Sequence, residues 1–264
     1  MMRCRTIVLA ALLSLMSQAS AQSIPRIAII IDDLGYELEA GQRAIELPGP
    51  ITFAILPQTP RGRSLAEAAH DQGKEVLLHL PLESIAYHGP DEPGSITLDM
   101  SRDAFHDTFG AALASVPHAI GVSSHRGSLL TQHPGHMEWL MEEIRDREGM
   151  FFVDSYTTHE SVAMQLAAEL GVAAARRHVF LDNERSAEAL AKQFDRLMEL
   201  ARQQGVAVAI GHPYPETLAF LERKLADLDE NLIELIPVSK ALISLNQQAQ
   251  TNSNDAAMEI NGPK

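Results

Sequence analysis

The chain has 264 residues and is acidic, with 21 Lys and Arg against 35 Asp and Glu and a formal net charge of −14. Such a charge argues against nucleic acid or an anionic membrane surface as a partner, because both would repel the protein. The single cysteine is Cys4, so the remaining chain has neither a disulfide nor a thiolate ligand. A hydrophobic core must therefore hold the fold by itself.

The first 21 residues have the pattern of a secretory signal peptide. Arg3 and Arg5 precede an apolar run over 7–16, and Ala19-Ser20-Ala21 matches the small-residue cleavage pattern. The apolar run is too short for a permanent transmembrane helix, and no other stretch approaches that length. We therefore expect a periplasmic or otherwise exported protein with no stable membrane insertion.

The rest of the chain divides into a domain and a tail. Residues 22–243 are long enough for one large α/β domain. Residues 244–264 are rich in Gln, Asn, Ser and Thr, and this composition predicts a disordered polar tail.

Short apolar runs alternate with segments of helical period along the domain. The predicted strands are 27–31, 51–56, 75–80, 119–123, 150–153, 178–181, 206–210 and 232–238. The predicted helices are 37–47, 61–73, 102–114, 135–147, 160–170, 186–205 and 215–227. This alternation indicates a parallel sheet covered by helices. The lack of a Gly-x-Gly-x-x-Gly turn favours a closed or nearly closed (β/α) barrel of seven or eight units over a dinucleotide-binding sheet, with a flavodoxin-like open sheet as the alternative.

The first strand ends in two adjacent carboxylates, Asp32 and Asp33. Neighbouring like charges repel unless a cation or a donor neutralises them. A pair of this kind at the end of a buried strand therefore indicates a metal or a positively charged partner.

Most of the other strands also end in polar side chains, which a barrel would bring to one face. His79, His125 and His212 lie at or just after the ends of three of these strands. His125 and His212 stand in turns that packing explains poorly, whereas a core position is the usual alternative for His79. Asp154 and Asp182 follow two more, although an Asp in such a place is commonly a cap or turn residue. Seven further histidines lie on predicted helices or loops and are expected to be solvated: His70, His88, His106, His118, His133, His136 and His159.

An Asp with two His is a common ligand set for a divalent cation that keeps an open coordination position and activates water. With a spare carboxylate to take a proton and a histidine to return it, this chemistry is ester or amide hydrolysis. The sequence has no Gly-x-Ser-x-Gly elbow and no cysteine outside the predicted signal peptide. Mechanisms with a serine or cysteine nucleophile therefore have little support. The long connection after the third strand, 84–102, is the expected binding loop.

Six ordered motifs carry a resemblance to a known family. They are Ile-Ile-Ile-Asp-Asp-Leu-Gly at 29–35, Ile-Thr-Phe-Ala-Ile-Leu-Pro at 51–57, Leu-His-Leu-Pro-Leu-Glu at 78–83, Gly-Val-Ser-Ser-His-Arg-Gly-Ser at 121–128, Phe-Val-Asp-Ser at 152–155 and Ile-Gly-His-Pro at 210–213. Together they resemble the divergent polysaccharide deacetylase family. The resemblance implies a distorted (β/α) barrel and one divalent cation, most often Zn²⁺. It also implies removal of N- or O-acetyl groups from an acetylated cell-envelope polysaccharide or oligosaccharide.

The resemblance also implies roles for the residues that match. Asp32 would be the catalytic base, Asp33 and His79 metal ligands, and His212 the general acid. Classical relatives carry His-x-x-x-His where this chain has His79 and Glu83, and we infer His125 as the third ligand.

Five further residues are expected to support the ligands or to contact substrate: Glu83, Ser124, Arg126, Asp154 and Asp182. Ser124 and Arg126 belong to the fourth motif, which in this family usually reads Gly-Val-Asn-Asn-His-Met-Gly-Ser.

Two other functions compete with the deacetylase. A glycosidase would need two carboxylates about the scissile bond, the second from Asp154 or Asp182, and would leave the histidines without a task. A catalytically silent barrel that binds a glycan or an envelope partner would explain the altered His-x-x-x-Glu motif. It would also fit the scarcity of aromatic residues for stacking sugars.

Overall fold

The computed structural model describes residues 24–245. The expected signal peptide and nearly all of the expected tail lie outside the described residues. The strands are β1 Arg26–Leu34, β2 Thr52–Ile55, β3 Glu75–Leu82, β4 Ala119–Arg126, β5 Phe151–Asp154, β6 Ala174–Arg176, β7 Val179–Phe180, β8 Val206–Gly211 and β9 Glu234–Leu235. The helices are α1 Leu38–Ile45, α2 Gly62–Asp71, α3 Arg102–Ser115, α4 Pro134–Arg145, α5 Ala163–Leu170, α6 Ala187–Gln204, α7 Pro215–Ala226 and α8 238–245, with one 3-10 turn at Leu130–Gln132.

The strands form a parallel sheet in the order β6-β5-β4-β3-β2-β1-β8-β7, and β9 pairs with β1. Only Arg177 and His178 separate β6 from β7. The Arg177 N–H donates to the carbonyl of Asp154 on β5 (3.0 Å), and the His178 N–H donates to the carbonyl of Val208 on β8 (2.8 Å). This split segment therefore joins the two ends of the curled sheet, and the expected distorted (β/α) barrel is confirmed.

The alternation of side chains along β1 separates two apolar layers. Ile27, Ile29 and Ile31 pack in the layer between sheet and helices, while Ala28 and Ile30 belong to a second cluster inside the barrel. Successive side chains point to opposite faces of a strand, so Asp32 continues the interior row. That second cluster also contains Ala241 and Leu242 of α8.

Helix α6 shows the closest agreement with the sequence. Ser186 is its N-cap, and its hydroxyl oxygen accepts the Ala189 N–H at 3.2 Å. Gly205 ends the helix in the left-handed region at φ +80°. Both signals are the usual ones for a helix start and stop.

Two strand predictions were only partly right. The predicted strand 178–181 is just the second half of a split strand, and the first half, β6, was missed because Ala-Ala-Arg has low strand propensity. The predicted strand 232–238 shrinks to β9, and the chain continues into α8. Helix α8 extends through residue 245, two residues into the expected tail. In the described range no helix is long and apolar enough to cross a bilayer.

Candidate functional site

The end of β1 is distorted where the two carboxylates stand. The register between β1 and β2 shifts between Ile31 and Leu34, and Asp33 takes a left-handed φ of +62°. Asp is one of the few residues that tolerates this conformation. The bulge lets Asp32 and Asp33 both contact His79, because it breaks the alternation that would send neighbouring side chains to opposite faces.

Three ligand-type atoms meet beside this bulge. Asp33 Oδ1 lies 3.1 Å from His79 Nε2 and 2.9 Å from His125 Nδ1, and the two ring nitrogens are 3.2 Å apart. An ion held about 2.0–2.1 Å from nitrogen and oxygen ligands keeps neighbouring ligand atoms about 2.9–3.4 Å apart, between right-angled and tetrahedral geometry. The spacing therefore fits a zinc-sized cation, and these three residues form the one candidate ligand group found in 24–245.

The charges of this triad also fit a cation. Asp33 Oδ1 is buried without a hydrogen-bond partner of good geometry in the described chain. Burial alone would raise the pKa of Asp33, but the facing His125 and His79 lower it well below its usual range. Burial lowers the pKa of His125, and its contacts with Asp33 and Glu92 outweigh burial and raise that pKa to about 9. Asp33 is therefore deprotonated, and a cation bound here would take the place of the proton that His125 holds between its two carboxylate neighbours.

Asp32 lies next to the triad without joining it. Its side chain is buried, its Oδ2 is 3.5 Å from His79 Nε2, and its Oδ1 has no partner among the described residues. Burial raises the pKa of Asp32 above its ordinary value, against the opposing effect of His79 and His212. A carboxylate of raised pKa with a free oxygen is suited to accept a proton.

His212 directly follows β8 and faces the triad, and Asp182 contacts its ring from the opposite side. Its Nδ1 lies 2.9 Å from Asp182 Oδ1, while its own backbone N–H donates to Asp182 Oδ2 at 2.6 Å. Its Nε2 points to the site, 3.7 Å from Asp33 Oδ2. Burial lowers the pKa of His212, but Asp182 and the two aspartates of β1 raise it more, and the net shift is upward. His212 can therefore carry a proton towards the site near neutral pH.

Three of the residues expected to support the ligands or to contact substrate accept hydrogen bonds from backbone N–H groups. The Glu83 carboxylate accepts the Leu98 N–H at 2.7 Å. The Ser124 hydroxyl accepts the Ser155 N–H at 3.0 Å. Asp154 accepts the Tyr156 N–H and the Ser161 hydroxyl, which closes the loop after β5.

Arg126 lies at the rim of the site, where its guanidinium contacts Glu92, a residue that was not among the predicted site residues. Glu92 Oε1 lies 3.1 Å from Arg126 Nη2, and Glu92 Oε2 lies 3.0 Å from His125 Nε2. Glu92 belongs to the long connection after β3, whose length was the only signal for it. That connection and Arg126 also line a cavity of about 700 Å³.

Arg177 was also missed, because the predicted strand began one residue after it. Its guanidinium donates to the carbonyls of Ser155 (2.7 Å) and Tyr156 (2.9 Å). It also interacts electrostatically with Asp32. The break between β6 and β7 thus places the positive charge of Arg177 where it acts on Asp32.

One expectation about the histidines was wrong. His136 is buried rather than solvated, because it packs against Phe105 and Trp139 on the helix side of the barrel.

The few tyrosines are all placed just after strand ends or in the long loop: Tyr36, Tyr87, Tyr156 and Tyr214. Tyr36 is 46%, Tyr87 39% and Tyr214 37% exposed. The Tyr214 ring lies 5.4 Å from that of His212. Aromatic surface is therefore scarce in the chain but concentrated around the candidate site.

Comparison with known proteins gives the family. An uncharacterized protein of Escherichia coli K12, YibQ, is 35% identical over 240 residues, which cover 91% of this chain and 73% of the relative. The fold matches the crystal structure of an uncharacterized protein of Agrobacterium tumefaciens C58, ATU2773, with a TM-score of 0.78 and 23% identity over 84% of this chain and 90% of that one. It also matches BA3943 of Bacillus anthracis, described as a CE4 family pseudoenzyme, with a TM-score of 0.51 and 15% identity over 84% and 66% of the two chains. Residues 29–242 match the family model "Divergent polysaccharide deacetylase", and the chain belongs to that family.

Proposed function

We propose that this protein is an exported, divalent-metal-dependent hydrolase that removes acetyl groups from a cell-envelope carbohydrate. The observation that carries the proposal is the convergence of Asp33 Oδ1, His79 Nε2 and His125 Nδ1 at mutual distances of 2.9–3.2 Å. Family membership supports the substrate class, and the exposed tyrosines about the site offer faces for sugar rings.

The residues of the chain divide the work. Asp33, His79 and His125 would hold the cation, with Zn²⁺ the expected metal. A bound zinc would lower the pKa of a water and polarise the acetyl carbonyl. Asp32, buried and with one free carboxylate oxygen, would take the proton from that water.

His212 would complete the reaction from the opposite side of the site. Its Nε2 faces Asp33 while Asp182 fixes its Nδ1. A protonated His212 would donate to the leaving nitrogen or oxygen as the tetrahedral intermediate collapses, so the sugar leaves neutral and acetate is released.

Metal content tests the first half of the proposal. Purified wild-type protein should bind about one zinc ion, and Asp33→Ala and His125→Ala should each lose it. His159→Ala removes an exposed histidine outside the site and should leave the zinc content unchanged. A wild-type protein that binds no divalent metal would overturn the mechanism.

Acetate release tests the second half. We expect release from acetylated chitooligosaccharides or acetylated peptidoglycan, and its loss in Asp32→Asn without loss of zinc. Retained zinc with no acetate from either substrate would instead favour the silent, glycan-binding barrel. The two-carboxylate glycosidase has less support, because protein donors already occupy both oxygens of Asp154 and of Asp182.

A further inference from the structure

Glu92 reaches the candidate metal site from the far side of a ligand ring. Its Oε2 lies 3.0 Å from His125 Nε2, although neither atom has a hydrogen-bond partner of good geometry in the described chain. The other ring nitrogen, Nδ1, faces Asp33 and His79. The imidazole ring therefore stands between Glu92 and the cation position. Glu92 can act on the metal only through His125.

The loop that carries Glu92 is held in place at several points. Arg126 Nη2 lies 3.1 Å from Glu92 Oε1, and the same guanidinium stacks 3.4 Å from the ring centre of Tyr87. C-terminal to Glu92, the Ile96 N–H donates to the Pro81 carbonyl of β3 at 2.9 Å. The Glu92 carboxylate is thus fixed at one oxygen by Arg126 and leaves the other for His125.

The two histidines of the triad are supported differently. His79 Nδ1 lies 2.8 Å from the Ser123 hydroxyl, a neutral partner. His125 uses the opposite nitrogen towards the cation and has a carboxylate behind it. A histidine ligand binds metal as the neutral ring, and a carboxylate that accepts its other N–H fixes the tautomer, sets the ring orientation and raises the basicity of the ligand nitrogen.

We propose that Glu92 is a positioning residue that holds His125 with Nε2 protonated and Nδ1 aimed at the cation. This inference rests on the proposed function, because it needs the triad to bind metal. It assigns a role to the long loop after β3: that loop completes the metal site through the residue behind the ligand. It also explains how His125, on β4, can serve as third ligand where Glu83 does not.

Zn²⁺ affinity provides the first test. In a competition titration with a chromophoric chelator, Glu92→Ala should bind Zn²⁺ about 10- to 100-fold more weakly than wild type. Glu92→Gln keeps an acceptor but loses the charge, so its Zn²⁺ affinity should lie between those of Glu92→Ala and wild type. Asp91→Asn removes the neighbouring loop carboxylate, which also lines the cavity, and should leave the affinity unchanged.

A proton signal distinguishes positioning from a general effect on folding. In the zinc-loaded wild type, we expect His125 Nε2–H to donate to the Glu92 carboxylate, and such a proton should give a slowly exchanging, downfield NMR resonance. That resonance should disappear in Glu92→Ala, shift in Glu92→Gln and persist in Asp91→Asn. If Glu92→Ala does not fold, the glutamine variant gives the same comparison.

The outcomes separate the two proposals. Wild-type Zn²⁺ affinity in both Glu92 variants, or an unchanged His125 resonance, overturns the role of Glu92 alone. A wild type that binds zinc and weakens in the Glu92 variants, yet releases no acetate, supports the role of Glu92 and refutes the hydrolase. A wild type that binds no zinc overturns both.

Discussion

Asp182 contacts His212 through both of its carboxylate oxygens. Oδ1 lies 2.9 Å from the ring Nδ1, and Oδ2 accepts the backbone N–H of the same residue at 2.6 Å. Oδ2 also accepts the Thr217 hydroxyl at 2.8 Å. The carboxylate therefore has three donors around it and fixes both the position and the tautomer of His212.

Asp182→Asn should damage catalysis without removing the metal. An amide must place its NH₂ where one of the donors now points, so His212 loses its orientation or its tautomer. We expect kcat for acetate release to fall about 100-fold or more, with zinc content unchanged. In Thr217→Val, which removes only one of the three donors, kcat should fall far less. Equal losses in both variants, or zinc loss in Asp182→Asn, would contradict a role confined to His212.

Ser123→Ala tests the weaker support behind the other histidine. Ser123 Oγ lies 2.8 Å from His79 Nδ1, so its loss leaves the ring without its partner. We expect Zn²⁺ affinity to drop about 10-fold, the lower end of the range for such partners, because a hydroxyl is neutral. The matched control is Ser124→Ala, whose hydroxyl bonds the Ser155 backbone instead. Similar zinc affinities for the two variants would argue against the role of Ser123.

Much of the barrel follows from local patterns. The apolar runs and the helical periods give strand and helix order, and the placement of polar residues after each strand predicts which ones share a face. Asp33, His79, His125 and His212 could be found this way because each lies at or just after the end of an apolar run. The parallel order of the strands brings these strand ends to one face, and the bulge at the end of β1 turns Asp33 towards the histidines.

The site features that the sequence did not predict depend on the path of a loop or on a break in a strand. Glu92 sits in the middle of a long connection, and no periodicity relates it to His125. Arg177 lies at the break of a strand whose first half lacks β-branched residues. Glu83, by contrast, follows its strand as the histidines do, yet the backbone of the returning loop at Leu98 takes its carboxylate. Spacing predicts the face of a residue, but its partner depends on tertiary contacts.

Gly35→Ala should disturb the site through the backbone. Gly35 has φ +138°, and an added Cβ would lie 2.2 Å from Thr59 Oγ1. The clash and the strained backbone together should lower the free energy of unfolding by about 2–3 kcal/mol. Zn²⁺ affinity should fall as well, since Gly35 lies two residues from Asp33.

Gly73→Ala is the control for that change. Gly73 also has a positive φ, +69°, but nothing lies within 4 Å of an added Cβ. The substitution should lower the free energy of unfolding by about 1 kcal/mol through the backbone alone, and the Zn²⁺ affinity should stay unchanged. Denaturant unfolding and chelator titration of both variants measure the difference, and equal behaviour would show that the Thr59 contact is unimportant.

His178 predicts a pH dependence of stability. Its Nδ1 accepts the Val208 N–H at 3.0 Å, which holds the split strand to β8. Burial, and to a lesser extent Arg176, lower the pKa of His178 below 6.5. The unfolded chain therefore binds the proton more readily than the folded one, so this contribution is complete above about pH 6.5 and is lost as the pH falls below it.

His178→Asn should remove that dependence. The asparagine carbonyl can accept the Val208 N–H but does not titrate. Between about pH 7.5 and pH 5.5 the free energy of unfolding should therefore fall more in wild type than in His178→Asn. His159→Asn, at an exposed loop position, should keep the wild-type profile. Urea unfolding across this range measures the difference, and parallel profiles for wild type and His178→Asn would mean that protonating His178 does not loosen the junction between β7 and β8.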